Sequence, residues 1–150
     1  MNSDEMMNSK SVLVSWSGGK DSCMALYRIL QEQNYTVAAL LTTVTRDYER
    51  VSMHGVRRSL LERQAESLGL PLQEIQISKG ATNEEYETTL TDALNRYMEE
   101  GVDTIVFGDL FLADIRAYRE QFLSRLGLRP LFPVWGLDTR AFLRAFVELG

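Results

Sequence analysis

Histidine and cysteine occur once each in these 150 residues, as His54 and Cys23, and proline only three times. One cysteine cannot close an internal disulfide, and no Cys/His cluster is present to hold a structural zinc. Lysine is scarce: Lys10, Lys20 and Lys79 are the only ones among 16 basic residues, and the rest are arginine. No apolar run approaches the roughly 18 residues that a membrane span needs. Met1 to Lys10 is polar and lacks the apolar core of a secretory signal. What is present is an ordinary globular mix, 45% apolar and 25% charged, which excludes a collagenous or disordered chain. A chain of this length forms one domain and buries roughly 68–70% of its unfolded surface. The expectation is a soluble, cytoplasmic protein with a disordered segment at 1–10 and one domain over 11–150.

The net charge of −5 argues against non-specific nucleic-acid binding, which depends on neutralising phosphates. The charge is uneven. Glu84 to Asp103 carries seven carboxylates against Arg96 alone, which reads as a solvated acidic helix face. Arg116 to Arg144 carries six arginines against Glu120 and Asp138. These are either ordinary surface arginines or a face turned to an anionic ligand.

The order of elements follows from periodicity and breakers. Residues 11–16 form a short apolar strand, interrupted by Ser17-Gly18-Gly19. A helix runs from Ser22 to about Asn34. Thr36 to Val44 is apolar throughout, as a strand covered on both faces would be. A polar loop is expected over Thr45 to His54, then an amphipathic helix from Gly55 to Gly69. Leu72 to Ile77 is a third strand. Asn83 caps a helix that reaches Glu100, with Glu84, Glu85 and Glu87 complementing its N-terminal dipole. Thr104 to Phe107 is a fourth strand and Asp114 to Leu126 a fourth helix, ended by Gly127. Leu131 to Trp135 is a further extended segment, and Asp138 caps a last helix. Strict β-α alternation argues for a parallel sheet with helices on both faces.

The strongest chemical signal is Ser17-Gly18-Gly19-Lys20-Asp21-Ser22, between the first strand and the first helix. Open α/β sheets place ligands at that carboxyl edge. Two glycines permit a tight, closely approaching backbone. The N–H groups of the loop and the helix N-terminus form an anion site. Ser17 and Ser22 add hydroxyls, and Lys20 adds a mobile positive charge. Asp21 would repel a phosphate unless it holds Mg²⁺. The loop is not a Walker A motif, since Val14 and Asp21 stand where Gly and Ser/Thr would be required. The dinucleotide fingerprint spacing also fails.

This hexapeptide resembles the PP-loop of the adenine nucleotide alpha-hydrolase superfamily, the N-type ATP pyrophosphatases. Further segments narrow the resemblance: Ser52-Met53-His54-Gly55-Val56, Phe107-Gly108-Asp109-Leu110 with Asp114-Ile115-Arg116-Ala117-Tyr118-Arg119-Glu120, then Leu126-Gly127-Leu128 and Leu131-Phe132-Pro133-Val134-Trp135-Gly136. This succession is similar to the diphthine–ammonia ligase-type branch, across Val12 to Gly150. The resemblance implies a Rossmann-like (HUP-type) sheet of five parallel strands in the order 3-2-1-4-5. It implies cleavage of ATP to AMP and pyrophosphate, adenylation of a carboxylate, and displacement of AMP by ammonia. The carboxylate would be diphthine borne on a protein. The implied ATP site comprises Ser15, Trp16, Ser17, Gly18, Gly19, Lys20, Asp21, Ser22, Thr42, His54, Gly108 and Asp109. Lys20 and Asp21 would carry the catalysis, with Mg²⁺ on Asp21. Family members continue with another strand and a smaller C-terminal part.

Two other readings stay open. One is a nucleotide-binding module without catalysis. The other is a tRNA-modifying ligase of the same superfamily, against which the acidic charge weighs. Sulfur-transferring and reductive relatives need further cysteines and are set aside. His54 is either a solvent-exposed loop residue or close to the nucleotide. Asp114 and Arg116 form a local ion pair, or Arg116 and Arg119 face phosphate or an acidic substrate. Trp16 and Trp135 are most simply core aromatics. Cys23 lies where a helix N-terminus lowers a thiol pKa, but packing is the simpler role. An unpaired sheet edge would allow a homodimer.

Overall fold

The first strand, β1 (Lys10–Ser15), lies at the centre of a five-stranded sheet. The structure, a computed structural model, describes residues 10–18, 20–32, 34–46, 51–78, 80–109, 112–136 and 144. After β1 come α1 (Lys20–Gln31), β2 (Tyr35–Arg46), α2 (Val51–Leu68), β3 (Leu72–Ser78), α3 (Asn83–Glu99), β4 (Thr104–Val106), α4 (Ala113–Leu126) and β5 (Arg129–Leu131). The strand order is β3-β2-β1-β4-β5, and every pairing is parallel. The expected fold is therefore present. The order reverses between β1 and β4, and that switch point is where an open α/β sheet leaves a crevice.

Alternation along the strands builds two cores. Val12 and Val14 face α1 and α2, packing with Ala25, Leu26, Ile29, Leu61 and Ala65. Leu13 faces the other way, packing with Leu94 of α3 and Phe122 and Leu123 of α4. The β1–β2 register shifts between Val12 and Leu13, which pair with Val37 and Ala39. The extra residue, Ala38, resets the alternation, so Val37 and Leu40 both join the first core although three positions apart.

Several element bounds differ from the sequence reading. Thr45 and Arg46 are not loop: the backbone ladder pairs them with Ile77 and Ser78. A ladder satisfies backbone groups whatever the side chains, so polar residues extend a strand that apolar periodicity would end. The following helix begins at Val51, not Gly55, because a helical turn tolerates a glycine at a modest cost. His54 is therefore helical. The fifth strand is Arg129–Leu131, earlier than the expected Leu131–Trp135. Arg129 N–H donates to Asp103 O and Phe107 N–H to Leu131 O, both at 2.8 Å. Pro130, which has no N–H, thus faces the outer edge of an edge strand, where a proline is tolerated. The expected helix from Asp138 falls outside the described residues, apart from helical Arg144. The expected disordered segment does too, apart from Lys10, which is in β1.

The N-cap of α3 is Thr82, not Asn83. Its side chain accepts from Glu85 N–H at 3.1 Å while its own backbone is extended. Both residue types cap, and the chain enters the helix one residue earlier than the sequence reading placed it. Thr82→Ala is expected to cost about 1 kcal/mol and to lower the melting temperature by about 2–4 °C, checked by thermal denaturation.

Candidate functional site

The carboxyl ends of β1, β2 and β4 meet at one edge of the sheet. Trp16 follows β1, is 3% exposed, and donates its backbone N–H to Leu41 O at 2.8 Å. The chain then turns through Ser17 and Gly18 into α1. Ser22 Oγ accepts Ser17 N–H at 3.1 Å and shares a 2.8 Å hydrogen bond with Ser17 Oγ. Ser22 is buried, so this bond closes the loop onto the first turn of the helix. Gly18 has φ +81°, and a Cβ there would lie 2.7 Å from Gln64 Oε1 and 2.9 Å from Leu61 Cδ2. Only glycine fits both the backbone and the space. Gly19 and the Lys20 side chain lie outside the described residues; Lys20 opens α1.

Asp21, in the first turn of α1, carries the site's main electrostatic anomaly. Its Oδ1 is buried and has no hydrogen-bond partner among the described residues. Buried polar atoms are nearly always partnered, and a lone carboxylate oxygen is costly to hide. A carboxylate oxygen without a hydrogen-bond partner among the described residues, in the first turn of a helix beside a glycine loop, suits a hard cation that takes oxygen ligands.

Gly108 completes the arrangement from the β4 side. A Cβ there would meet Asp21 O at 2.8 Å, Asp21 C at 2.9 Å and Ser22 N at 3.1 Å. The end of β4 thus lies directly against the first turn of α1. Asp109 follows and pairs with Arg119 of α4, Nε to Oδ2 at 2.6 Å. Arg119 also stacks over Phe107, 4.3 Å from its centroid. Asp109 and the Phe107 ring thus hold the Arg119 guanidinium in position at the cavity wall.

Beside the loop is a cavity of about 200 Å³, walled by Ser15, Trp16, Thr42, Phe107, Tyr118 and Arg119 among others. Its floor is the second core, and Thr42 is itself buried. The structure therefore brings together Ser15, Trp16, Ser17 and Thr42 around one cavity. It sets Gly18, Asp21, Ser22 and Gly108 at the helix opening beside it. His54 stands in the first turns of α2, and its side chain lies outside the described residues.

The substrate candidates separate. Arg116 pairs with Glu120 at 2.9 Å and not with Asp114, because i,i+4 neighbours meet on one helix face and i,i+2 neighbours do not. Its guanidinium lies 4.5 Å from the Phe132 centroid and 4.8 Å from that of Trp135. Asp114 is exposed. Of the three, Arg119 alone lines the cavity. Arg125 pairs with Glu87 at 3.4 Å. Thus Arg116, Arg119 and Arg125 each hold a carboxylate and a ring. Cys23 packs against the first core, and burial pushes its thiol above the ordinary value, which opposes reactivity.

Sequence reasoning missed Gln64 and Tyr118. Gln64 is a polar residue on the apolar stripe of α2, three positions after Leu61, and that mismatch was the available signal. Tyr118 Oη donates to Glu87 Oε1 at 2.8 Å. Burial first, and then the hydrogen bond and charge of Glu87, push its pKa up to about 12. The folded value lies above the ordinary tyrosine value, so this stabilisation is present below about pH 10. It is lost as pH rises towards 12. Tyr118→Phe is expected to flatten that alkaline fall, checked by chemical denaturation at pH 8 and pH 11.

These features define the carboxyl edge of a parallel α/β sheet with a glycine loop leading into a helix, and comparison with known families gives the class. The sequence profile of the Diphthamide synthase N-terminal domain family matches residues 10–130, and the chain belongs to that family, within the PP-loop superfamily. Among solved structures, the U34-tRNA thiolase NcsA from Methanococcus maripaludis, determined with its [4Fe-4S] cluster, superposes with a TM-score of 0.54 at 18% identity. The alignment covers 99% of this chain and 59% of the thiolase chain, so this chain spans a little over half that length. At that identity the likeness shows the fold alone. Comparison with curated proteins gives no match. Among the described residues, no helix is long and apolar enough to cross a membrane.

Proposed function

We propose that this chain is the ATP-binding part of an amide ligase of diphthine–ammonia ligase type. The observation that carries the reading is the buried, unpartnered Oδ1 of Asp21, set at the opening of α1 within Ser17-Gly18-Gly19-Lys20-Asp21-Ser22. Membership of an ATP-using family supports it. Asp21 would hold Mg²⁺, which when bound neutralises charge on phosphate oxygens.

The chain's own groups then divide the work. The N-terminal N–H groups of α1 bind the pyrophosphate portion, with Lys20 adding positive charge. The cavity walled by Ser15, Trp16 and Thr42 takes the base, its volume suiting one ring system and not a whole nucleotide. A substrate carboxylate oxygen attacks the α-phosphorus, the bond to the bridging oxygen breaks, and pyrophosphate leaves. Ammonia attacks the acyl carbon, AMP departs with the C–O electron pair, and one proton is released. Arg119, on the cavity wall beside Asp109, is the candidate contact to the carboxylate substrate. The protein's part is positioning and charge stabilisation. The family name points to protein-borne diphthine as the carboxylate.

The test is calorimetric titration of MgATP into the chain, followed by AMP and pyrophosphate assays with a diphthine-bearing protein and ammonium. Binding with product release supports the ligase. Binding without release, under every carboxylate supplied, leaves a nucleotide-binding module. No binding by folded protein overturns both.

A further inference from the structure

We infer that Gln64 of α2 is a positioning residue for the anion loop. Three observations converge on this side chain. Its Nε2 donates to Gly18 O at 3.3 Å. Its Oε1 accepts from the indole Nε1 of Trp16 at 3.1 Å. It also occupies the space that a Cβ on Gly18 would need. One amide thus satisfies a loop carbonyl and the buried indole of Trp16, using both of its chemical ends.

The physical consequence concerns the direction of a dipole. A carbonyl oxygen turned into an anion loop repels phosphate oxygens. The bond from Gln64 holds the Gly18 carbonyl on the α2 side. Gly18 has φ +81°, and as a glycine it has other backbone states open to it. A tether from a neighbouring helix selects one of them before the ligand arrives, which lowers the ordering cost of binding. The Ser17–Ser22 hydrogen bonds close the loop from the α1 side, and Gln64 closes it from the α2 side. The bond to Trp16 links the loop to the wall of the adjoining cavity, since Trp16 is held in turn by Leu41 O.

This inference rests on the nucleotide reading of the loop, and the experiment separates the two. Magnesium pyrophosphate is titrated into the wild-type chain and into Gln64→Met, which keeps length and volume but can neither donate an amide hydrogen nor accept as one. Hydrogen–deuterium exchange is followed over the peptide spanning residues 15–22 and over β1 and β2. The expected result is binding weakened about tenfold. Exchange should rise in the loop peptide while β1 and β2 stay as protected as in wild type. Unchanged binding and unchanged loop exchange in Gln64→Met overturn the inference alone. Faster exchange throughout the sheet with a lowered melting temperature means general packing and also overturns it. No binding by wild type overturns the nucleotide reading, and the loop exchange then still decides whether Gln64 holds the loop. Should Gln64→Met fail to fold, Gln64→Glu serves: it retains an acceptor for Trp16 and loses the donor to Gly18, and the same loss of binding is expected.

Discussion

Replacing Asp21 with alanine is expected to abolish release of AMP and pyrophosphate, a fall of about a hundredfold or more, while leaving the fold intact. Two terms act on stability. The substitution removes a buried oxygen that has no partner among the described residues, relieving a penalty of about 1–3 kcal/mol. It also removes a negative charge from the first turn of α1, which is worth about 0.3–1 kcal/mol. The net expectation is a melting temperature equal to or above that of wild type in the absence of nucleotide. A residue kept for packing would behave the other way, losing stability and keeping activity. Thermal denaturation paired with a pyrophosphate-release assay checks both halves. An unchanged rate would remove Asp21 from the mechanism.

Gly108→Ala should be damaging for a different reason. The added methyl group meets backbone atoms of Asp21 and Ser22 at 2.8 to 3.1 Å, and backbone cannot swing aside as a flexible side chain does. Either β4 or the start of α1 must move. Overpacking of this kind costs about 1–3 kcal/mol, a drop of about 2–4 °C in melting temperature for each kcal/mol. On the proposed reading the larger effect falls on the site, because the displaced atoms belong to the loop that would hold the pyrophosphate. A shift near 1 Å costs about a hundredfold in a positioned reaction. Melting and MgATP titration together test this. A variant with wild-type values in both would show that β4 and α1 do not bear on each other.

The alternation of strand and helix was legible because it is written in local periodicity and in its breakers. Ser17-Gly18-Gly19 had to follow the first strand, and Gly127 had to end α4, whose cap residue has φ 80°. The place of the loop was legible for a similar reason: two glycines and two serines break the apolar pattern between the first strand and the first helix. The bounds of β2 and α2 were less legible. Thr45 and Arg46 are strand because Ile77 and Ser78 lie alongside, and no property of the two residues themselves records that.

The partners of the site belong to the tertiary structure alone. Arg119 and Asp109 are ten residues apart and meet at 2.6 Å. Gln64 reaches Trp16 and Gly18 across 48 and 46 residues. A sequence records which residues can donate, accept or carry charge. Which of them face each other depends on crossovers and helix packing, which act over the whole chain. So the sequence by itself determined the class of fold, the position of the glycine loop and the need for glycine within it. Only the tertiary structure decided that Arg119 is held by Asp109, that Arg116 lies over two rings, and that a glutamine from the second helix bonds to the loop. The physical reason is that local steric and polar preferences act between neighbours, whereas side-chain pairing across elements exists only once the two cores have closed on the sheet.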